Sequence, residues 1–139
     1  LILGPGSTCL AIKRELGIPG TLLGVDVRLP DRSLVIDATA QQLLTVIQQG
    51  PAHVILSFTR QQAFLLGRGN QQLSPAVLAK LCWPDDFTVV SSKQKLLVLE
   101  QRPLLIDSDD AALDASLCGL VEVITGYDER SLYRVASPI

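Results

Sequence analysis

Short apolar runs alternate along this chain with amphipathic stretches that carry their own helix-start and helix-stop residues, and this alternation constrains the fold most. In the opening segment 1-LILGPGSTCL, an apolar run leads through a glycine turn to a helix that Ser7 or Thr8 can cap. Gly17 can end that helix. Alternating strands and helices are typical of α/β proteins. We therefore predict one α/β domain over residues 1–139, a mixed β-sheet flanked by helices.

The other elements follow from similar signals. Strands are predicted at 21–27, 33–37, 53–58, 87–91, 104–107, 121–125 and 132–136, with the first two and the last two of these runs forming hairpins. Helices are predicted from Thr39, from Ser74 to Trp83, over 111–118 behind Asp109 or Asp110, and over 92–101, where helix is preferred to strand. The first helix is expected to bury Cys9, Ile12 and Leu16, and 59–73 is predicted as a loop.

Charge and hydropathy limit the partners. Twelve Lys and Arg residues against fourteen Asp and Glu residues give a formal charge of −2, so the chain lacks the basic surface that nucleic acids require. No apolar stretch approaches the roughly 18 residues of a membrane helix, and the opening residues do not resemble a signal peptide. We predict a cytoplasmic protein that binds neither nucleic acid nor membrane.

The mean hydropathy of +0.33 is high for a small domain, which indicates an apolar face covered by a neighbouring domain or a second subunit. The chain begins with Leu1 and lacks methionine, so we expect the C-terminal part of a longer, homo-oligomeric protein.

Cys9, Cys82 and Cys118 have neither disulfide nor metal-site spacing and are predicted to be reduced and mostly buried. His53 is predicted to be a partly buried structural histidine.

The first candidate phosphate site is the loop 4-GPGST. Backbone N–H groups at a helix start favour an anion, and Ser7 and Thr8 would add hydroxyl donors beside Gly4 and Gly6. A tight strand-to-helix turn needs the same glycines, so a purely structural role stays open. The loop matches neither the GxGxxG nor the GxxxxGK[ST] pattern.

The second candidate is 67-GRGNQQLSP, where Gly67 and Gly69 bracket Arg68 and Asn70 follows. An arginine held between glycines can donate a fork of hydrogen bonds to a phosphate or a carboxylate. A solvated arginine in a flexible loop is the alternative. Two such loops in one domain predict a ligand with more than one phosphate, or with a phosphate and a ribose.

Aspartates near predicted strand ends form the third set, which comprises Asp26, Asp37, Asp107, Asp109, Asp110 and Asp114. Carboxylates at the carboxyl ends of strands can hold Mg²⁺ beside phosphates or accept a ribose hydroxyl. Helix capping explains Asp109 or Asp110. Asp26 closes an otherwise apolar run and is therefore the candidate ligand. No Ser-His-Asp or Cys-His arrangement is indicated.

Five segments in this order and spacing resemble the C-terminal part of the ATP-NAD kinase family, which includes the acetoin-catabolism-associated (AcoX-like) kinases: 4-GPGST, 22-LLGVD, 67-GRGNQQLSP, 94-QKL and 123-VITGY. The resemblance covers nearly the whole chain. It implies that the parent protein transfers a phosphate of ATP or polyphosphate to the adenosine-side ribose 2′-hydroxyl of NAD, giving NADP, with Mg²⁺ or another divalent metal.

The resemblance also implies a two-domain kinase whose N-terminal domain carries a GGDGT segment that this chain lacks. Because the usual catalytic aspartate lies in that segment, we expect this fragment alone to be inactive and to work with its own N-terminal domain. On this hypothesis the binding residues fall into three groups: Gly4, Gly6, Ser7 and Thr8 at one phosphate; Gly67, Arg68, Gly69 and Asn70 at another; and Asp26 at a ribose hydroxyl or the metal.

One segment departs from the family pattern. Where the family has GGQGF, this chain has 60-RQQAF, which keeps Gln62, an expected binding residue, and Phe64. Arg60, Gln61 and Ala63 replace glycines, and this removes close approach of the backbone to a ligand.

Two alternatives remain open at this stage. The start of the chain also resembles ribose-5-phosphate isomerases and their coenzyme A transferase-like relatives, and 36-IDATA is a weak counterpart of their carboxylate motif. The other alternative is a non-catalytic module for nucleotide sensing or oligomerisation.

Overall fold

A computed structural model describes residues 1–58 and 63–137, which alternate between strands and helices as predicted. The strands are β1 (Ile2–Leu3), β2 (Asp26–Arg28), β3 (Leu34–Val35), β4 (Val54–Leu56), β5 (Phe64–Leu66), β6 (Phe87–Val90), β7 (Leu104–Ile106), β8 (Gly119–Gly126) and β9 (Glu129–Ala136). The helices are α1 (Ser7–Glu15), α2 (Ala40–Gln48), α3 (Pro75–Leu78), α4 (Lys93–Leu97) and α5 (Ala111–Leu117).

The described strands form one mixed sheet in the order β3-β2-β1-β4-β6-β8-β9-β7-β5. β1, β4, β6 and β8 pair in parallel, whereas β8 and β9 form an antiparallel hairpin. Neighbouring parallel strands end on the same edge of a sheet. The loops that follow β1, β4 and β6 therefore gather at one edge. This confirms the predicted α/β fold with a mixed sheet.

The core lies on the sheet's apolar strands, whose inward side chains are fully buried. Ile2, Val54, Leu56, Val89 and Val123 are all 0% exposed. Central parallel strands are covered on both faces, which explains why they form nearly continuous apolar runs in the sequence.

Side-chain caps fix the start of most described helices. The caps are Thr39 for α2, Ser74 for α3, Ser92 for α4 and Asp110 for α5. α1 differs from the prediction: its N-cap is Gly6, not Ser7 or Thr8, and no side chain caps it. Since the first N–H groups of a helix have no intrahelical acceptor, the first turn of α1 keeps donors that a capping side chain would otherwise occupy.

The predicted apolar face of α1 was correct at Cys9 and wrong at Leu16. Cys9 and Lys13 are its buried residues, whereas Leu16 is 40% exposed. Lys13 occupies a core position because an aspartate is buried opposite its ammonium group.

The predicted 59–73 loop was also partly wrong. Phe64–Leu66 within it forms the edge strand β5, which pairs in parallel with β7. Its three apolar residues are too few to show a period, but Leu65 and Leu66 are 0% exposed. The third predicted helix is shorter than expected: α3 ends at Leu78 and not at Trp83, because the chain continues in turns.

Two predictions of burial need correction. His53 is exposed at the start of β4, where its Nε2 lies 2.6 Å from Thr88 Oγ1. Of the cysteines only Cys9 is buried, whereas Cys82 and Cys118 are exposed.

Within the described ranges, no helix is long and apolar enough to cross a membrane. The cytoplasmic location stays a prediction.

Candidate functional site

The two glycine loops singled out in the sequence meet at one pocket of about 320 Å³, here called the two-loop pocket. The first loop contributes Gly6, Ser7 and Thr8, and the second contributes Arg68 and Asn70. The remaining lining residues are Pro5, Leu23, Ser57, Phe58, Phe64, Ser92 and Lys95.

This meeting requires the sheet to curl. β4 and β5 are separated by four strands in the sheet, so a flat sheet would place them roughly 24 Å apart at about 4.8 Å per strand. Phe58, which follows β4, and Phe64, which begins β5, nevertheless line the same pocket. The curl brings the loops after β1, β4 and β6 against the far edge of the sheet.

The first loop is held against the sheet by its glycines. Gly4 N donates to Ile55 O at 2.9 Å, and a Cβ atom at Gly4 would lie 3.2 Å from Leu56 Cδ2. Gly6 has a φ of +105°, a conformation that favours glycine, and opens directly into α1. The positive end of the α1 dipole and the N–H groups of its first turn therefore face the pocket at Ser7 and Thr8.

The second loop is fixed from within by Asn70. Asn70 is 3% exposed, its Oδ1 accepts from Gly67 N at 2.9 Å and its Nδ2 donates to Leu65 O at 2.9 Å. Both ends of the amide are therefore engaged with the loop's own backbone. The amide thus shapes the loop that presents Arg68, and the expected role of Asn70 as a phosphate donor stays a prediction.

Two basic side chains line the pocket, and each lies over an aromatic ring. Arg68 Cζ is 4.7 Å from the centre of the Phe64 ring, and Lys95 Nζ is 4.9 Å from that of Phe58. Lys95 Nζ also lies 3.1 Å from Ser57 Oγ. Such contacts orient a cation without neutralising its charge.

Arg68 has a carboxylate partner outside the lining. Its Nη2 lies 3.3 Å from Asp107 Oδ2, and the two side chains are 58% and 30% exposed. An exposed pair of this kind contributes little to stability and exchanges readily for another anion. The described residues that line the pocket include no Asp or Glu. In a chain of formal charge −2, this is a locally cationic pocket.

Three further residues, Lys95, Ser57 and Phe58, line the pocket and were not predicted from the sequence. Lys95 lies in the segment 94-QKL, which matched the family pattern, but nothing in local sequence indicates that α4 faces the first loop. The order of β1, β4 and β6 in the sheet carries that information, because their carboxyl ends place Gly4, Ser57 and Ser92 side by side.

Asp26 does not lie in the pocket. It begins β2 instead of ending a strand, its carboxylate is 2.7 Å from Lys13 Nζ, and both side chains are 0% exposed. Asp26 Oδ1 accepts from Asp37 N and Oδ2 accepts from Thr21 N, each at 2.8 Å. These protein partners engage both oxygens, so the described structure gives no support to the expected contact with a ribose or a metal, which stays a prediction.

Burial alone would raise the pKa of Asp26. Hydrogen bonds from Lys13 and from the backbone amides of Asp37 and Thr21 outweigh burial and hold the pKa below its usual value. The carboxylate is therefore ionised at neutral pH and forms a true ion pair with Lys13.

Residues 59–62 lie outside the described residues, and with them Gln62. Ala63 is described, has a φ of 58° and is 4% exposed. It keeps the left-handed backbone that favours glycine although its side chain is a methyl group. The departure 60-RQQAF thus preserves a glycine-like conformation at this position.

The described part of the chain shows no cluster of metal ligands. It contains no group of three or more His, Cys, Asp or Glu side chains able to hold a metal ion. Asp37, the carboxylate that the isomerase alternative requires, is not among the residues that line the two-loop pocket. The geometry therefore gives that alternative no support.

A larger cavity of about 830 Å³ lies at the opposite ends of β1 and β4, bordered by Leu1 and Ala52. It includes Arg28 and Arg32 but none of the residues predicted to bind phosphate. Size alone does not make it the better candidate, since the basic, aromatic and helix-terminal groups converge on the smaller pocket.

One comparison with known proteins identifies a family. Residues 1–135 match the family model described as the ATP-NAD kinase C-terminal domain. No curated protein and no solved structure matches the chain significantly. The family match agrees in extent and type with the resemblance seen in the sequence.

Proposed function

Because this chain belongs to the family of ATP-NAD kinase C-terminal domains, we propose that it supplies the NAD-binding pocket of an NAD kinase-like phosphotransferase. The product would be NADP, made by phosphorylation of NAD at the adenosine ribose 2′-hydroxyl. One observation carries the proposal: Arg68 and Lys95 flank a pocket that has the N-terminus of α1 at its edge and no carboxylate among its described lining residues.

The proposed ligand contacts divide between the two loops. The first-turn amides of α1 and the hydroxyls of Ser7 and Thr8 donate to one phosphate of NAD. Arg68 donates to the other phosphate, and Lys95 adds positive charge between them. Gly67, Gly69 and Asn70 shape the second loop, and Gly4 and Gly6 shape the first.

Catalysis in the proposed enzyme depends on a second domain. Phosphoryl transfer needs positioning and stabilisation of negative charge, and this chain contributes cations that meet that need. The phosphoryl donor, ATP or polyphosphate, and the catalytic aspartate would be held by a GGDGT-bearing N-terminal domain. This chain alone would bind NAD and would not catalyse phosphoryl transfer.

The described residues do not fit the divalent metal that the family implies. Carboxylates and other oxygens are the ligands that Mg²⁺ prefers, whereas this pocket offers cations, hydroxyls and aromatic rings. We therefore place Mg²⁺ with the donor phosphates and the N-terminal domain, and assign this chain no step through it.

Association with a second copy is part of the proposal. Leu120 and Leu132 on the β8–β9 hairpin are 65% and 68% exposed, and Glu122 and Arg130 form an ion pair on the same face. Apolar residues mixed with charges of both signs suit a face that contacts its own copy about a two-fold axis.

Calorimetric titration with NAD⁺ and, separately, with ribose 5-phosphate, each with and without Mg²⁺, tests the function. Saturable NAD⁺ binding is expected, and Arg68→Ala should weaken it about 10- to 100-fold, because a charged hydrogen bond contributes roughly 1.5–3 kcal/mol. If ribose 5-phosphate binds at least as tightly as NAD⁺, the result would favour a sugar-phosphate enzyme. No binding of either ligand would contradict the proposal.

Lys95 has a matched control on its own helix. Lys95→Ala should also weaken NAD⁺ binding, because the Lys95 ammonium lines the pocket. Lys93→Ala removes the same charge from α4, but Lys93 Nζ points to Glu129 Oε2 at 2.9 Å and not into the pocket. Equal losses in the two variants would mean that only overall charge matters.

A further inference from the structure

The Lys13–Asp26 ion pair lies outside the two-loop pocket, yet a short loop connects the two. Lys13 Nζ donates to Thr21 O at 2.8 Å and to Gly24 O at 3.2 Å, in addition to its ion pair with Asp26. The ammonium group therefore binds both ends of the segment 21–24. Burying an ion pair is costly, and the cost is offset only when further hydrogen bonds satisfy both groups, as they do here.

Glycines allow this loop to wrap closely around the ion pair. A Cβ atom at Gly20 would lie 2.5 Å from Lys13 Cδ and 2.7 Å from Asp26 Oδ2. A Cβ atom at Gly24 would lie 2.4 Å from Thr21 Oγ1. The course of the loop is thus dictated by the two buried charges.

Thr21 transmits that constraint. Its backbone N–H donates to Asp26 Oδ2 at 2.8 Å, and its Oγ1 lies 3.2 Å from the same oxygen. Thr21 Oγ1 in turn accepts from Gly24 N at 3.0 Å. One hydroxyl therefore closes the loop on itself and ties it to Asp26.

The tip of the loop reaches the pocket at two points. Leu22 O accepts from Gly6 N at 2.8 Å, so the loop holds the N-cap residue of α1. Leu23 lines the pocket and is 79% exposed, which gives the phosphate-binding groups an apolar neighbour. A nucleoside phosphate, unlike inorganic phosphate, has an apolar face that can use this leucine.

We propose that Lys13 and Asp26 are positioning residues for the two-loop pocket, which hold Gly6 and Leu23 in place through the loop 20–24 without contacting the ligand. This inference rests on the proposed function in taking a nucleotide as the ligand. It adds that the affinity for the nucleotide is set partly by two buried charges beneath α1.

Thr21→Val tests the inference with little change in shape, because it removes the hydroxyl and keeps both charges. The double variant Lys13→Met/Asp26→Leu removes the ion pair itself and leaves no unpaired charge. Thr21→Ser restores the hydroxyl and serves as the conservative rescue. Leu104→Ala, at a side chain of β7 that is 0% exposed, is the control for a loss of stability away from the pocket lining.

Two measurements on the intact protein separate positioning from general stability. The hydrogen-exchange rate of the Gly6 amide measures, without any ligand, how firmly the loop 20–24 holds Gly6. The exchange rate of the Val54 amide, which donates to Asp86 O, measures the stability of the core. Calorimetric titration with NAD⁺ measures the affinity of the two-loop pocket for the nucleotide. We expect Thr21→Val and the double variant to speed Gly6 exchange and to raise the Kd for NAD⁺ about fivefold or more, with Val54 unchanged. Thr21→Ser should match the wild type.

The outcomes are distinct. Unchanged Gly6 exchange in Thr21→Val overturns the inference, whatever NAD⁺ does. An equal rise in Kd in Leu104→Ala also overturns it, because stability alone would then explain the effect. If the wild type does not bind NAD⁺ while Thr21→Val still releases Gly6, the proposed function fails and the coupling of the loop to the ion pair is upheld.

Discussion

Gly67 packs directly against the backbone of Asp107, so closely that a Cβ atom at Gly67 would lie 1.7 Å from the Asp107 carbonyl oxygen. Gly67 also has a φ of +97°. The loop that presents Arg68 is therefore pressed onto the loop that follows β7, and Asp107 N returns a hydrogen bond to Leu66 O at 3.0 Å.

Gly67→Ala should separate these two loops and destabilise the fold strongly. Gly69→Ala is the matched control, because Gly69 has a φ of +84° but nothing within 4 Å of its added Cβ. The control should cost about 1 kcal/mol, the usual penalty for a left-handed alanine. Gly67→Ala should cost clearly more in urea unfolding, because backbone atoms must also move. Equal losses of stability in the two variants would contradict the close packing of Gly67 against Asp107.

Asp107→Asn should tighten the binding of phosphate ligands. The carboxylate competes with the ligand for Arg68 and repels its phosphates, so its neutralisation is expected to lower the Kd for NAD⁺ about threefold at low salt. Stability should change by less than about 1 kcal/mol, because the pair is exposed. Weaker binding by Asp107→Asn would mean that Asp107 orients Arg68 and does not compete for it.

The Lys13–Asp26 pair predicts a pH dependence of stability. Because the pKa of Asp26 is lower in the folded chain than in the unfolded one, its contribution is fully present above the unfolded value of about 4. That contribution is lost as the pH falls through the lower, folded pKa. Urea unfolding between pH 7 and pH 2.5 should therefore show a steeper loss below pH 4 in the wild type than in Lys13→Met/Asp26→Leu. Parallel curves would contradict an ionised Asp26.

The three cysteines should differ in reactivity. Burial raises the pKa of the Cys9 thiol and outweighs the nearby positive charges of Lys13 and Lys95, whereas Cys82 and Cys118 are exposed. Ellman's reagent at pH 8 is expected to modify two thiols quickly and the third only after denaturant is added. Mass spectrometry of the modified peptides should place the slow thiol at Cys9.

Patterns within single elements predicted most of the fold. Thr39, Ser74 with Pro75, and Asp110 each begin a helix as expected, because capping is decided by residues a few positions apart. β5 was missed because a run of three apolar residues has no period to recognise. The second loop was indicated by its own residues, two glycines that bracket Arg68 shortly before a helix start.

The candidate site was predictable only in part. Both glycine loops were found because glycines before a helix carry a local signal. Lys95 was missed because its position depends on how distant strands are ordered. Asp26 was noticed as a charge in an apolar run, but its partner Lys13 lies in another element, so a structural ion pair was indistinguishable from a ligand site.

The β8–β9 hairpin lies between the two parts of the sheet that carry the pocket. In the hydrogen-bonded ladder of the described strands, β8 joins the side that carries the first loop, and β9 joins the side that carries the second. The described sheet therefore connects the two glycine loops through this hairpin, and residues 119–136 join the two halves of the candidate site.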